Sequence, residues 1–301
     1  MGEWRKVIPE SRDRFQSKVL VWVVGLMLAP PSVAVILWAN HPHNSGLLAF
    51  KALGVSLTFA VLVWVLRAAT PMGAIFGAMV CLLVTTGTGW TNQSPFHSGL
   101  APLIALFLLT FAATRAGRPR KAKLGLAEEK RGRNAGQVCA NLGAAGLVVP
   151  ACYFNLFDNL VRVHGLLGFS YFVLPIILLA ALCEATADTV SSEIGQAFGG
   201  QPVMLTTLRR VDPGTDGAVT ILGTTAGIAG AAIVAAVGMW SMRIDLHAAE
   251  FGFAGGFGGL LFDSWLGATV ERRGWLGNDL VNFSSTAFAV LVALGLAVWG
   301  H

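Results

Sequence analysis

Charge is what this chain has least of. Only 12% of its 301 residues are Asp, Glu, Lys or Arg, while 54% are apolar, and the mean hydropathy is +0.66. No soluble domain of this size needs that much apolar surface. No polar stretch exceeds about 25 residues, so a separate soluble domain is excluded too. Cysteine is scarce: Cys81, Cys139, Cys152 and Cys183 lie in or beside apolar runs, with no CxxC spacing. A disulfide framework and a zinc site are thereby excluded, which leaves core packing. No GxxxxGK[ST] sequence occurs, so a P-loop is absent. No cleavable leader is expected, because the first apolar run follows 18 residues rich in charge and reads as a retained anchor.

Long apolar runs are what the chain does have. They fall at 19–39, 47–67, 71–89, 100–115, 136–156, 166–188, 218–240, 251–270 and 281–299. Each approaches the roughly 20 residues that cross a hydrocarbon core, and backbone groups in lipid require them to be helices. The expected fold is all-α: a polytopic helical membrane protein of about nine transmembrane helices. Segment 1–18 precedes one membrane domain over 19–301, with inner loops at about 116–135 and 195–217. If the N-terminus is cytoplasmic, 18 of the 21 Lys and Arg fall inside and only Lys51, Arg162 and Arg243 outside. The net charge of +5 thus reports orientation in a cell membrane and not nucleic-acid binding. Eight or ten spans remain open alternatives, because the glycine-rich run 251–270 can be re-entrant. Glycines at 223, 227 and 230, and at 252, 255, 256, 258 and 259, suit close helix approach. A backbone-lined ligand site in a broken helix is the alternative. All six histidines fall on the outer side, and His41-Pro-His43 reads as a solvated loop more readily than as a metal site.

The unusual polar residues collect on the inner side. Glu184, Asp188 and Ser192 recur every four residues, so they share one helix face. Glu193 lies five past Asp188 and points about 140° away on a regular helix. Either the helix breaks near Ser191 or Glu193 has a separate task. Arg133 leads into Asn134, Gln137 and Asn141, which also share a face. The loop after Gly195 holds Thr206, Thr207, Arg209 and Arg210, then Asp212-Pro-Gly214-Thr215-Asp216-Gly217. Arginine forks and turn amides both suit phosphate oxygens. Asp263-Ser264 sits inside an apolar run, where an acid is costly unless paired or metal-bound. Asn278, Asp279 and Asn282 open the last run. Carboxylates with arginines and no histidine base point to phosphate chemistry with Mg²⁺. The location at the membrane points to an amphiphilic substrate.

At these residues the chain resembles a known family. The runs are Arg133-Asn134-x-x-Gln137-Val138-x-Ala140-Asn141, Asp188-Thr189-x-x-Ser192-Glu193-Ile194-Gly195 and Thr206-Thr207. They continue with Pro213-Gly214-Thr215-x-Gly217-Ala218-Val219, Asp263-Ser264-x-Leu266-Gly267-Ala268-Thr269 and Asn278-Asp279-x-Val281-Asn282. Together they resemble the integral-membrane family that includes the phytyl-phosphate kinase of tocopherol synthesis and animal transmembrane protein 19. The resemblance covers roughly the last two thirds of the chain; Glu271 and Arg272 depart from it, and the first 100 residues show no match to it.

The resemblance implies phosphoryl transfer from a nucleoside triphosphate (CTP or another) to an isoprenyl monophosphate, giving the diphosphate. In this reading Asp188, Glu193 and Asp263 hold Mg²⁺. Arg209, Arg210 and Arg133 neutralise phosphates. Asn134, Asn141, Ser192, Thr206, Thr207, Gly214, Thr215, Asn278, Asp279 and Asn282 bind substrate. The expected partners are the prenyl phosphate, the nucleotide and the lipid bilayer, with an oligomer allowed. A nucleotidyltransferase acting on a lipid phosphate and a non-enzymatic lipid or small-molecule transporter are the alternatives.

Overall fold

The computed structural model describes residues 8–39, 46–88, 95–126, 132–154 and 169–300. His41, His43, His164 and Arg131 lie outside the described residues. Among the described residues ten α-helices follow in order: α1 (Glu10–Ala39), α2 (Gly46–Val65), α3 (Pro71–Gly87), α4 (Leu100–Arg115), α5 (Arg118–Lys123), α6 (Ala135–Tyr153), α7 (Phe169–Phe198), α8 (Ile221–Met242), α9 (Leu246–Leu266) and α10 (Asn278–Trp299). All but the short α5 overlap one of the nine apolar runs. Five of them (α1, α6, α7, α8 and α10) are long and apolar enough to cross a membrane. The chain is an all-α membrane protein. Its one sheet among the described residues is a two-residue ladder, β1 (Val203–Met204) antiparallel to β2 (Ala218–Val219).

Helix α7 is the axis. Its apolar window is 89% buried, against 22% in α1 and 39% in α8 and α10. Ile177, Leu178, Leu179 and Leu182 are wholly enclosed. Lipid is as apolar as leucine, so close packing has to hold the neighbours of α7 in place. The glycines supply the room. A Cβ at Gly256 would stand 2.5 Å from the Cys183 Cβ, and one at Gly227 2.5 Å from the Ala187 carbonyl oxygen. Between them α8 and α9 clasp α7 from two sides. The glycine-rich run forms one continuous helix, so these glycines serve close approach and do not break the helix.

Three boundaries differ from those read in the sequence. Helix α1 begins at Glu10, well inside the segment expected to precede the membrane domain. Helix α7 runs ten residues beyond the apolar end at 188, because its polar face lines a cavity instead of meeting bulk water. Helix α9 passes at Gly267 into a π-helical turn, Gly267–Glu271, a distortion common at functional sites.

Candidate phosphate-transfer site

The unbroken α7 carries three carboxylates at three levels, each with a different environment. Glu184 is buried, and both its oxygens are taken: Ser285 Oγ donates to Oε1 and Thr286 Oγ1 to Oε2, each at 2.6 Å. Gly259 on α9 fits against its stem, where a Cβ would come within 2.5 Å of Cγ. Glu193 points away from the Glu184–Asp188 face, as a regular helix requires, and pairs with Lys121 Nζ. Lys121 also donates to the Thr114 carbonyl oxygen at 2.7 Å and to that of Ala113 at 3.3 Å, and its side chain is only 1% exposed. A lysine so buried is held by those three acceptors and fixes α5 to the end of α7.

Asp188, between these two levels, opens into a cavity of about 260 Å³. Across it stands Asp263 of α9, within hydrogen-bond reach of Asp188. Asp263 Oδ1 is buried and has no hydrogen-bond partner among the described residues. Arg133 faces Asp188 and donates to Thr189 Oγ1 at 3.4 Å. The backbone of Arg133 is pinned, since its N–H donates to Ala68 O and its carbonyl accepts from Thr70 N, both at 2.9 Å. Gly132 permits this at φ +77°, pressed against Ala68, where any side chain would collide with backbone.

Two further walls complete the cavity. The turn 213–217 lies along it, with Gly217 at φ +72° seated on the Ala268 backbone at the start of the π turn. On the other side, Asn282 Nδ2 donates to Asn141 Oδ1 at 3.3 Å, joining α10 to α6. Asn278 and Asp279 stand at the mouth, in the first turn of α10. Segment 274–279 is tied to α1: Arg12 donates to Gly274 O at 3.2 Å, Gln16 to Trp275 O at 2.9 Å and Ser17 to Asp279 Oδ2 at 2.6 Å.

Most of the polar residues named from the sequence therefore converge: Arg133, Asn141, Asp188, Ser192, Glu193, Gly214, Thr215, Asp263, Asn278, Asp279 and Asn282 all line this cavity. The others stand elsewhere. Asn134 is the N-cap of α6, in a capping box with Gln137 (3.0 and 2.9 Å) that takes up its side-chain oxygen, and it does not line this cavity. Thr206, Thr207, Arg209 and Arg210 sit on an exposed hairpin closed by pairing of Val203 with Arg210, off the cavity wall. Sequence reasoning missed Lys121, Ser285 and Thr286, and it missed Asp216 and Glu271 as lining residues.

The lining is strongly acidic. Among the described residues that line it, Asp188, Glu193, Asp216, Asp263, Glu271 and Asp279 outnumber the lining cation Arg133, and Glu193 also pairs with Lys121. A polyanion would be repelled unless a divalent cation came with it. Among the described residues, no three or more His, Cys, Asp or Glu side chains group closely enough to hold a metal ion by themselves. Glu193, on another face of α7, pairs with Lys121, while Asp188 and Asp263 lie together. Asp188 and Asp263, with the unpartnered Oδ1, fit a cation that takes its remaining ligands from water and substrate phosphate, as Mg²⁺ does.

Comparison with known proteins agrees with the motifs. No solved structure matches the chain. An uncharacterized membrane protein of Methanocaldococcus jannaschii is 31% identical over 195 residues, 64% of this chain and 73% of that protein. An uncharacterized membrane protein of Synechocystis is 27% identical over 228 residues, 75% and 82% respectively. Protein VTE6, chloroplastic, of Arabidopsis thaliana is 30% identical over 200 residues, 65% of this chain and 58% of that protein. The family described as integral membrane protein DUF92 matches residues 54–290, so the likeness begins in α2, earlier than the motifs alone suggested. That match contains every residue of the cavity wall, and the chain belongs to the integral membrane protein DUF92 family.

Proposed function

We propose that the chain is a membrane isoprenyl-phosphate kinase, transferring a phosphoryl group from a nucleoside triphosphate to a prenyl monophosphate. The observation that carries this reading is the acidic cavity in which Asp188 and Asp263 face Arg133 beside a glycine turn. The resemblance to the phytyl-phosphate kinase family, and the likeness to VTE6, support it. The nine helices are taken to cross a cell membrane with the N-terminus and the cavity mouth on the cytoplasmic side, where nucleotides are present and where the cationic loops fall.

The chemistry asks little covalent work of the protein. An oxygen of the acceptor phosphate forms a bond to the γ-phosphorus, and the bond from that phosphorus to the β–γ bridging oxygen breaks, releasing the nucleoside diphosphate. The acceptor is already anionic at pH 7, so no general base is needed. Mg²⁺, when bound, would supply charge neutralisation for the donor phosphates. Asp188 and Asp263 would hold it. Arg133 orients the acceptor phosphate, and the amides of Gly214 and Gly217 receive phosphate oxygens, that of Thr215 being taken by Asp212 O at 3.2 Å. Asn141 and Asn282 fix each other and, through that contact, the angle between α6 and α10. Arg209 and Arg210, on their exposed hairpin, attract anions from a distance.

Purified protein in lipid nanodiscs, given a prenyl monophosphate, Mg²⁺ and γ-labelled nucleotide, should yield labelled prenyl diphosphate. Removal of Mg²⁺ with chelator should stop it. Transfer of an α-label with pyrophosphate release would replace this reading with a nucleotidyltransferase. Uptake into vesicles without nucleotide, and no product with any nucleotide, would replace it with a transporter.

A further inference from the structure

A second hollow adjoins the polar cavity. It has a volume of about 90 Å³ and shares Arg133, Gln137 and Asn141 with the polar cavity. Beyond those three residues its character reverses. One stripe of α4, with Leu103, Leu106, Phe107, Thr110, Phe111 and Thr114 at helical spacing, forms its floor. Phe59 and Val63 of α2, four apart, form a wall, and Phe59 meets the Phe107 ring edge-on at 5.5 Å. From Thr114 to Leu103 the stripe runs about 16 Å along the helix.

Space in this slot comes from α3. Gly73 and Gly77, also four apart, line it; a Cβ on Gly73 would meet the Arg133 carbonyl oxygen at 2.7 Å, so the open space lies at Gly77. Gly77 is buried, yet a Cβ placed on it meets no atom within 4 Å. A buried position with open space around an absent side chain marks a gap in the packing. Native interiors leave few such gaps. Dispersion contacts are lost along an empty apolar wall, so a slender hydrocarbon would gain them on entering.

We infer that this slot between α2, α3, α4 and α6 receives the hydrocarbon chain of the acceptor, while Arg133 and Gln137, at the junction of the two hollows, hold its phosphate. Asn141 lines the same junction. The inference rests on the kinase reading for the identity of the head group. The occupant is the tail of a prenyl monophosphate, because an apolar slot opens onto a cationic residue that also faces Asp188 and so sets tail, phosphate and carboxylates in one line. Gly77 then gauges the length of chain admitted.

The test uses the full chain in nanodiscs and a prenyl monophosphate bearing a diazirine at the end of its chain. Labelling should fall on Phe59, Val63, Leu103 or Phe107. Excess unlabelled prenyl monophosphate should abolish it, and phosphatidic acid of matching chain length should not. Gly77→Leu should remove the labelling and lower kcat/KM for long acceptors about tenfold, leaving the shortest within about threefold. Gly77→Ala should show the same trend, more weakly, and guards against a misfolded leucine variant. Labelling confined to lipid-facing residues, equal competition by phosphatidic acid, or an unchanged chain-length profile in both variants would overturn the inference. Competed labelling without any diphosphate product would leave the slot standing and remove the kinase reading. Product without competed labelling in the slot would do the reverse.

Discussion

One turn of α7 separates two carboxylates with opposite circumstances. Glu184 is enclosed by glycine on α9 and hydroxyls on α10, and both of its oxygens are committed. Asp188 faces a second acid, a guanidinium and a cavity. Both are carboxylates on the same helix face, one a methylene longer than the other, so the difference lies mainly in what the neighbouring helices bring. A carboxylate whose acceptors are already filled holds helices together. One that shares its space with another acid is costly to ionise, and in the kinase reading a bound cation relieves that cost. Glu193, further along, falls in the first class through Lys121.

The sharpest way to break this contrast is to neutralise each acid in turn. If the chain is the proposed kinase, Asp188→Asn or Asp263→Asn should lower turnover about a thousandfold, the scale of losing preorganised charge stabilisation. The thermal unfolding midpoint in detergent should stay within a few degrees of the parent. Glu184→Gln should do the opposite, lowering the midpoint while measurable turnover survives. An Asp188→Asn protein that unfolds, or a Glu184→Gln protein that folds normally without activity, would erase the distinction between the two levels.

Next in size is the lysine lock. Lys121→Met leaves Glu193 partly buried without its cation, a change that costs about 3–5 kcal/mol in comparable pairs. Adding Glu193→Gln should return more than half of that loss, read as the coupling in a double-mutant cycle of unfolding midpoints. If the double variant is no better than Lys121→Met, Glu193 has a partner other than Lys121 and belongs with Asp188.

Much of this was readable in the sequence, for physical reasons. Apolar runs of about 20 residues admit only helices in lipid, so each of the nine runs has its helix. Alternating topology put Arg133, Asp188, Asp263 and Asn282 on one side, and the cavity joins them. What parity cannot supply is direction within a side. Arg209 and Arg210 share that side with Arg133, yet a small hairpin turns them outward, and the β1–β2 ladder at its base depends on pairing across thirteen intervening residues. Lys121 was hidden because a lysine in a basic loop reads the same whether solvated or buried. Ser285 and Thr286 were hidden because hydroxyls in apolar helices ordinarily bond to a carbonyl one turn back. Both do reach Asn282 O, at 2.9 and 2.8 Å, and nothing in the pattern announces the carboxylate opposite.

That double reach gives a smaller and more discriminating effect. Ser285→Ala with Thr286→Val removes both donors to Glu184 and strands a buried carboxylate, costing about 1–3 kcal/mol or somewhat more for a charged group. Glu184→Leu in the same double background fills the place with apolar volume and leaves no orphaned acceptor. It should unfold at a higher temperature than the hydroxyl-less protein that keeps Glu184. Were the glutamate-bearing variant the more stable, Glu184 would have to be satisfied from the cavity side, and the line drawn between it and Asp188 would move.

The cations offer the same contrast at its weakest. Arg133 lies inside the cavity with a pinned backbone, whereas Arg209 and Arg210 are exposed on the hairpin. Charges in water act over a Debye length of about 10 Å at 0.1 M salt, so the outer pair can influence arrival of an anion more than its reaction. Arg209→Ala with Arg210→Ala should therefore raise KM for nucleotide by about threefold or less at low salt, with kcat unchanged, and the difference should vanish as salt rises. Arg133→Ala should lower kcat at every salt concentration. If the outer pair lowers kcat as well, and salt does not erase the effect, the hairpin closes over the cavity during turnover and those arginines meet the transferred phosphate directly.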